Sequence, residues 1–141
     1  DATINNSVFT NNKATFDGGS IYVAGDDGKV YNTKFINNTA GDDGGAIFWA
    51  GINGTVDNCR FIDNVAIHNT TKDDSGRGGA VYLEHCDHGN ENTTFHNSYF
   101  ENNTAGSNGG AIDWHEGATD GKILNCTFTN NTAGANGGGG L

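Results

Sequence analysis

Glu84, Asp113 and His115 are the residues whose types and spacing could do acid–base chemistry together. When the chain is aligned on its own repeat, Tyr82 and Glu84 share one strand, and the next copy sets Asp113 and His115 beside them. Two carboxyl groups flanking a glycosidic bond can act as acid and base, and histidine with carboxylates can hold a metal. His68, His85, His88, Asp73, Asp74 and Glu116 lie where they could reach the same neighbourhood. Other features weigh against catalysis. No spacing matches a zinc or catalytic motif, and Arg60 and Arg77 are the only arginines, the usual partners of acidic sugars. The expectation is a chain that is not an enzyme, with a site built on Glu84, Asp113 and His115 as the alternative.

Three further groups could bind without reacting. The acidic turns Asp26-Asp27-Gly28, Asp42-Asp43-Gly44 and Asp73-Asp74 offer oxygen ligands to calcium. None follows the spacing of a known calcium loop, so solvated turns and no cofactor are expected, with Asp42, Asp43, Asp73 and Asp74 as weak metal candidates. Tyr22, Phe48 and Tyr82 form an outward aromatic strip able to stack on sugar rings or on a protein. Asn-x-Ser/Thr sequons begin at Asn5, Asn37, Asn53, Asn69, Asn92, Asn102, Asn125 and Asn130, which marks the chain as exported and these asparagines as glycosylation candidates.

The elements that position these residues come from a repeat. Phenylalanine recurs at Phe9, Phe35, Phe61, Phe100 and Phe128, in steps of 26, 26, 39 and 28 residues. Paired glycines follow nine residues later, except in the third repeat, where the gap is 17. That repeat carries an eight-residue insertion within 68–75, and a second insertion lies around 87–91. A period near 26 with no helical spacing reads as three short strands and three turns per copy, each pairing in parallel with the next copy about 4.8 Å away. This is a single-stranded parallel β-helix of about five coils, right-handed by the crossover rule.

The columns of the alignment support that fold. Ile4, Val30, Val56, Phe95 and Ile123 stand five positions before each phenylalanine, an apolar stack. Asn6, Asn32, Asn58, Asn97 and Asn125 stand three before and are read as the ladder at a tight corner. Ser7, Thr33, Cys59, Ser98 and Cys126 stand two before, all small, and a second asparagine column, Asn12, Asn38, Asn64, Asn103 and Asn131, stands three after. Glycine pairs are read as positive-φ turns. Cys59 and Cys126 sit two coils apart, roughly 9–10 Å by the strand spacing, beyond disulfide reach, and Cys86 has no evident mate.

Net charge of −10 with seven Lys+Arg excludes nucleic-acid binding and contact with anionic membrane, and no apolar run could span a bilayer. One domain over residues 1–141 is expected, part of a longer array. Phe-x-x-Asn paired with Gly-Gly-Ala-Ile resembles the repeat of the chlamydial polymorphic outer membrane proteins. Asn-Cys-Thr-Phe-Thr-Asn-Asn-Thr-Ala-Gly-Ala-Asn-Gly-Gly at 125–138 is similar to repeats of adhesin-like surface proteins of methanogenic archaea. The resemblance implies an extracellular, surface-displayed module that contacts glycans, surface proteins of other cells or neighbouring copies of itself. Right-handed β-helices also carry polysaccharide lyases and hydrolases, which gives the alternative reading its fold.

Overall fold

The computed structural model describes residues 2–71, 75–84, 92–115, 120–134 and 137–141. Its chain is all-β, and every strand pairs in parallel with its equivalent one repeat away, a β-solenoid of about four turns. The first sheet stacks Thr3–Asn5, Lys29–Tyr31, Thr55–Asp57, Thr94–His96 and Lys122–Leu124. The second stacks Val8–Thr10, Lys34–Ile36, Arg60–Ile62, Tyr99–Glu101 and Thr127–Thr129. The third is formed by Lys13–Ala14, Thr39–Ala40, Val65–Ala66 and Thr104–Ala105, and the fourth by Ile21–Val23, Ile47–Trp49, Val81–Leu83 and Ile112–Trp114. A bridge from Thr104 to Thr132 begins another level of the third sheet.

Each of the first four coils thus has four strands where the sequence reading allowed three. The extra one is only two residues long, too short for alternation to reveal. Two asparagine corners bracket the phenylalanine strand. Asn6, Asn32, Asn58, Asn97 and Asn125 turn at φ between 47° and 52°, and Asn11, Asn37, Asp63, Asn102 and Asn130 turn at φ between 54° and 57°. Asparagine and aspartate enter the left-handed region at lower cost than other side chains, so the repeat spells its own bends.

The core is a set of columns. Phe9, Phe35, Phe61, Phe100 and Phe128 stack face to face, with centroids 4.7–5.1 Å apart and planes within 6°. Ile47, Trp49, Val81, Leu83 and Ile112 of the fourth sheet are fully buried against them and against Val30, Val56 and Phe95 of the first. The Trp49 indole lies where a Cβ on Gly28 or Gly54 would stand, 2.9 and 2.6 Å from its ring. The paired glycines divide their work. In four of the five pairs the first glycine, Gly18, Gly44, Gly78 or Gly109 (φ 58–67°), needs the left-handed region. The second does not. A Cβ on Gly45 would lie 2.0 Å from the Gly79 carbonyl oxygen, so close stacking excludes a side chain there.

The ladder that holds the interior is the asparagine column after the phenylalanine, not the one before it. Asn12, Asn38, Asn64 and Asn103 each donate Nδ2–H to the Oδ1 of the asparagine one coil on, at 2.9–3.0 Å. Asn38, Asn64 and Asn103 also donate to the carbonyls of Phe9, Phe35 and Phe61, at 3.0–3.1 Å, and all three are fully buried. The corner column is exposed and interrupted. Asn58 donates to Asn32, and Asn125 to Asn97, but Asn32 reaches Asn5 and Asn97 reaches Asp57. The small residues at the corner are staples. Ser7, Thr33 and Ser98 donate their hydroxyls to the carbonyls of Asn5, Tyr31 and His96, and the Cys59 and Cys126 thiols donate to Asp57 and Leu124.

Cys59 and Cys126 are free thiols. Burial pushes the Cys59 thiol up to about 11, which leaves it protonated and inert at neutral pH. Cys86 lies outside the described residues. Among the described residues no helix is long and apolar enough to cross a membrane.

Candidate functional site

Individuality collects on the outer face of the fourth sheet, beside the first insertion. In-register pairing sets Tyr22, Phe48, Tyr82 and Asp113 in one outward column. The insertion leaves the third sheet after Ala66 and is pinned at its base by Ser75. The Asn69 N–H donates to Ser75 Oγ at 2.8 Å, Ser75 Oγ donates to the Asn69 carbonyl, and the His68 ring meets the Ser75 carbonyl at 3.1 Å. His68 is therefore engaged at the loop base. Returning from the loop, the chain delivers Arg77 to the position that aspartate holds in the two preceding coils, since Asp17 and Asp43 precede their glycine pairs in the same way.

Arg77 organises the cluster. Its backbone N–H donates to Asp43 Oδ1 at 2.8 Å, and its Nη1 lies 3.4 Å from Tyr82 Oη and 3.0 Å from His115 Nδ1. The guanidinium carbon stands 6.0 Å from the Tyr82 ring centroid, and the Tyr82 and His115 rings meet at 5.9 Å. Asp113, 9% exposed, keeps its Oδ2 buried without a hydrogen-bond partner. Sequence reading did not assign Arg77 a role at the site. The signal was present in the alignment, where one coil exchanges Asp for Arg just after an insertion.

The acidity of the face is shifted toward proton retention. Burial raises Asp113, against the opposing pull of Arg77 and His115. Burial and Asp17 raise Glu84, which His115 opposes. Burial lifts Asp43 to about 7, with Asp42 and Asp17 adding repulsion and the Arg77 backbone N–H opposing it. Burial also pushes Tyr82 up to about 12. Asp43, at about 7, keeps its proton close to neutrality and can then donate a hydrogen bond, while Asp113 and Glu84 are moved in the same direction.

The aromatic strip differs from its expected form. Tyr22 stacks on Phe48 at 4.7 Å and Phe48 meets Tyr82 at 5.2 Å, but only Tyr22, 55% exposed, is open to solvent. Phe48 and Tyr82 are 4% exposed, because they pack against their column neighbours and Arg77 stands over Tyr82. The strip is mostly self-packed wall with one free ring at its end. The acidic candidates also rearrange. The carboxylates of Asp42 and Asp43 converge with that of Asp17, their ligand atoms all within 4.8 Å, while Asp26 and Asp27 lie in another turn. Asp73, Asp74, His85, His88 and Glu116 lie outside the described residues. The structure brings Asp113 and His115 onto the Arg77–Tyr82 pair and leaves Glu84 beside His115, one level apart in the stack.

Residues 6–24, 32–48 and 97–113 match the Chlamydia polymorphic membrane protein repeat. Each matched stretch begins at a corner asparagine and runs through the phenylalanine, the ladder asparagine and the paired glycines into the fourth sheet. The chain therefore carries repeats of this type, and the third coil, with its insertion, departs from the pattern. No curated protein and no solved structure matches the chain.

Proposed function

We propose that this domain is an adhesive module of a cell surface, a rigid solenoid that presents its outer faces to a glycan or to a surface protein of another cell. The observation that carries this reading is the match of three coils to a repeat of polymorphic membrane proteins. The geometry agrees with it. The repeated residues are spent on stacking and corners, so the outward side chains are free to vary. The fourth-sheet face offers an exposed ring, Tyr22, at the first level of a column whose third and fourth levels carry Arg77, Tyr82, Asp113 and His115. An aromatic face with neighbouring hydrogen-bond donors suits a sugar ring.

A second reading, a polysaccharide lyase or hydrolase acting through Glu84, Asp113 and His115, draws on the lowered acidity of both carboxyls. Incubation of the purified domain with a panel of glycans and polysaccharides separates the two. The adhesive reading expects binding without any shortening of the polymer. Cleavage that disappears in Glu84→Gln or Asp113→Asn would replace it with the enzymatic one.

A further inference from the structure

We infer that Asn69 is the acceptor site that the folded domain presents for an N-linked sugar, and that the other seven sequons are withdrawn by the solenoid itself. A transferase must grip the asparagine, the residue after it and the hydroxyl of the third as an unpaired stretch. In six sequons the solenoid denies this grip. The middle residues Asn38, Gly54, Thr93 and Asn103 are buried, and Cys126 and Asn131 are half-buried. Thr39, Thr55, Thr94, Thr104 and Thr127 lie in strands, and Thr132 bridges to Thr104. Freeing Asn103 alone would break its bonds to Asn131 and Phe61 within the core. The acceptor nitrogens of Asn37, Asn53, Asn92 and Asn125 already donate across coils, to Asn11, Asp27, Asn53 and Asn97. At Asn5 the sequon hydroxyl is taken, since Ser7 donates it to the Asn5 carbonyl at 2.9 Å.

Asn69 is half-buried where the other sequon asparagines are exposed, and its Thr71 hydroxyl is engaged too, but its bonds stay within the tripeptide and the loop base. It sits in the insertion of the third coil, outside every strand, and Thr70 and Thr71 are both exposed. Its Oδ1 accepts from the Thr71 N–H at 3.1 Å and from the Thr71 hydroxyl at 2.7 Å. That closes asparagine and threonine into one local turn and leaves Nδ2 outside any inter-coil bond. Ser75 pins the loop at its base, so the tripeptide stands on a firm stem. In the transfer, Nδ2 attacks the anomeric carbon of a nucleotide- or lipid-linked sugar. The carbon–oxygen bond to the diphosphate breaks, its electron pair leaves with the phosphate, and the displaced Nδ2 proton passes to a base of the transferase. A sugar there would stand beside the Arg77 face.

Export, part of the adhesive reading, gives the setting for this modification, but the test does not depend on adhesion. The purified folded chain is incubated with a soluble N-glucosyltransferase and UDP-glucose, and modified sites are mapped by mass spectrometry. Proteolytic peptides of the same chain serve as the unfolded reference. Glucose is expected on Asn69 in the folded chain, at least tenfold above any other sequon, with several sequons accepting in the peptides. Asn69→Gln should remove the folded-state signal while circular dichroism stays unchanged. A folded chain left bare at Asn69, or modified equally at Asn37, Asn102 or Asn125, overturns the inference.

Discussion

Asn64 and Asn58 look alike in the sequence and do different work in the fold. Asn64 is fully buried, its Oδ1 accepting from Asn38 and its Nδ2 donating to Asn103 and to the Phe35 carbonyl. Asn64→Ala would strand several buried polar groups, each costing about 1–3 kcal/mol, so urea melts should show a loss above about 3 kcal/mol. Asn58 is exposed, and its main duty is a φ of 52°. Asn58→Gly keeps that backbone and should cost below about 1 kcal/mol. The sequence reading placed the structural ladder in the Asn58 column. Both columns are unbroken asparagine, and composition cannot show which one faces the core. Asp43 supports a second prediction at this scale. Its folded carboxyl holds its proton to about pH 7, whereas the unfolded one releases it near 3.8. A raised folded value means stability present below the unfolded value and lost as pH rises toward 7. Among the groups around it, Asp17 and Asp42 repel its charge while Arg77 donates to it. The melting temperature of the native chain should therefore fall, relative to Asp43→Asn, between pH 4 and pH 7.5, and an equal slope for the two would remove Asp43 from the account.

At the scale of the element, the glycine pair is the sharpest case. Gly45 has no room for a methyl group, with the Gly79 carbonyl oxygen 2.0 Å from where the Cβ would stand. Gly25 has nothing within 4 Å of its added Cβ. Gly45→Ala should abolish cooperative melting or lower the midpoint severely, and Gly25→Ala should melt as the native chain does. The columns at Phe9 and Ile4, the inward residues of the fourth sheet and the parallel register were all legible, because period and alternation are written directly in side-chain type. The third sheet was not, since two-residue strands such as Thr39–Ala40 show no alternation. The burial of Phe48 and Tyr82 was not legible either. Tyr82 is covered by Arg77 from the same coil, just after the insertion, and Phe48 by the rings one coil to either side, contacts that no local pattern encodes.

At the scale of the whole molecule, the chain divides into a scaffold and its interruptions. The scaffold repeats what the match to polymorphic membrane protein repeats also sees, which is corner, phenylalanine, buried asparagine and glycine pair. The interruption in the third coil brings Arg77, Tyr82, Asp113 and His115 together on one face, in the column that ends at the exposed Tyr22. Its counterpart on the second sheet, with Lys34 and Arg60 exposed, carries no such cluster among the described residues. The most direct measurement is binding of the purified domain to a glycan array and to intact cells, with substitutions on each face. The account predicts that Tyr22→Ala with His115→Ala lowers binding at least tenfold, while Lys34→Ala with Arg60→Ala leaves it within twofold. Equal binding by both double variants, or loss confined to the second, would contradict it.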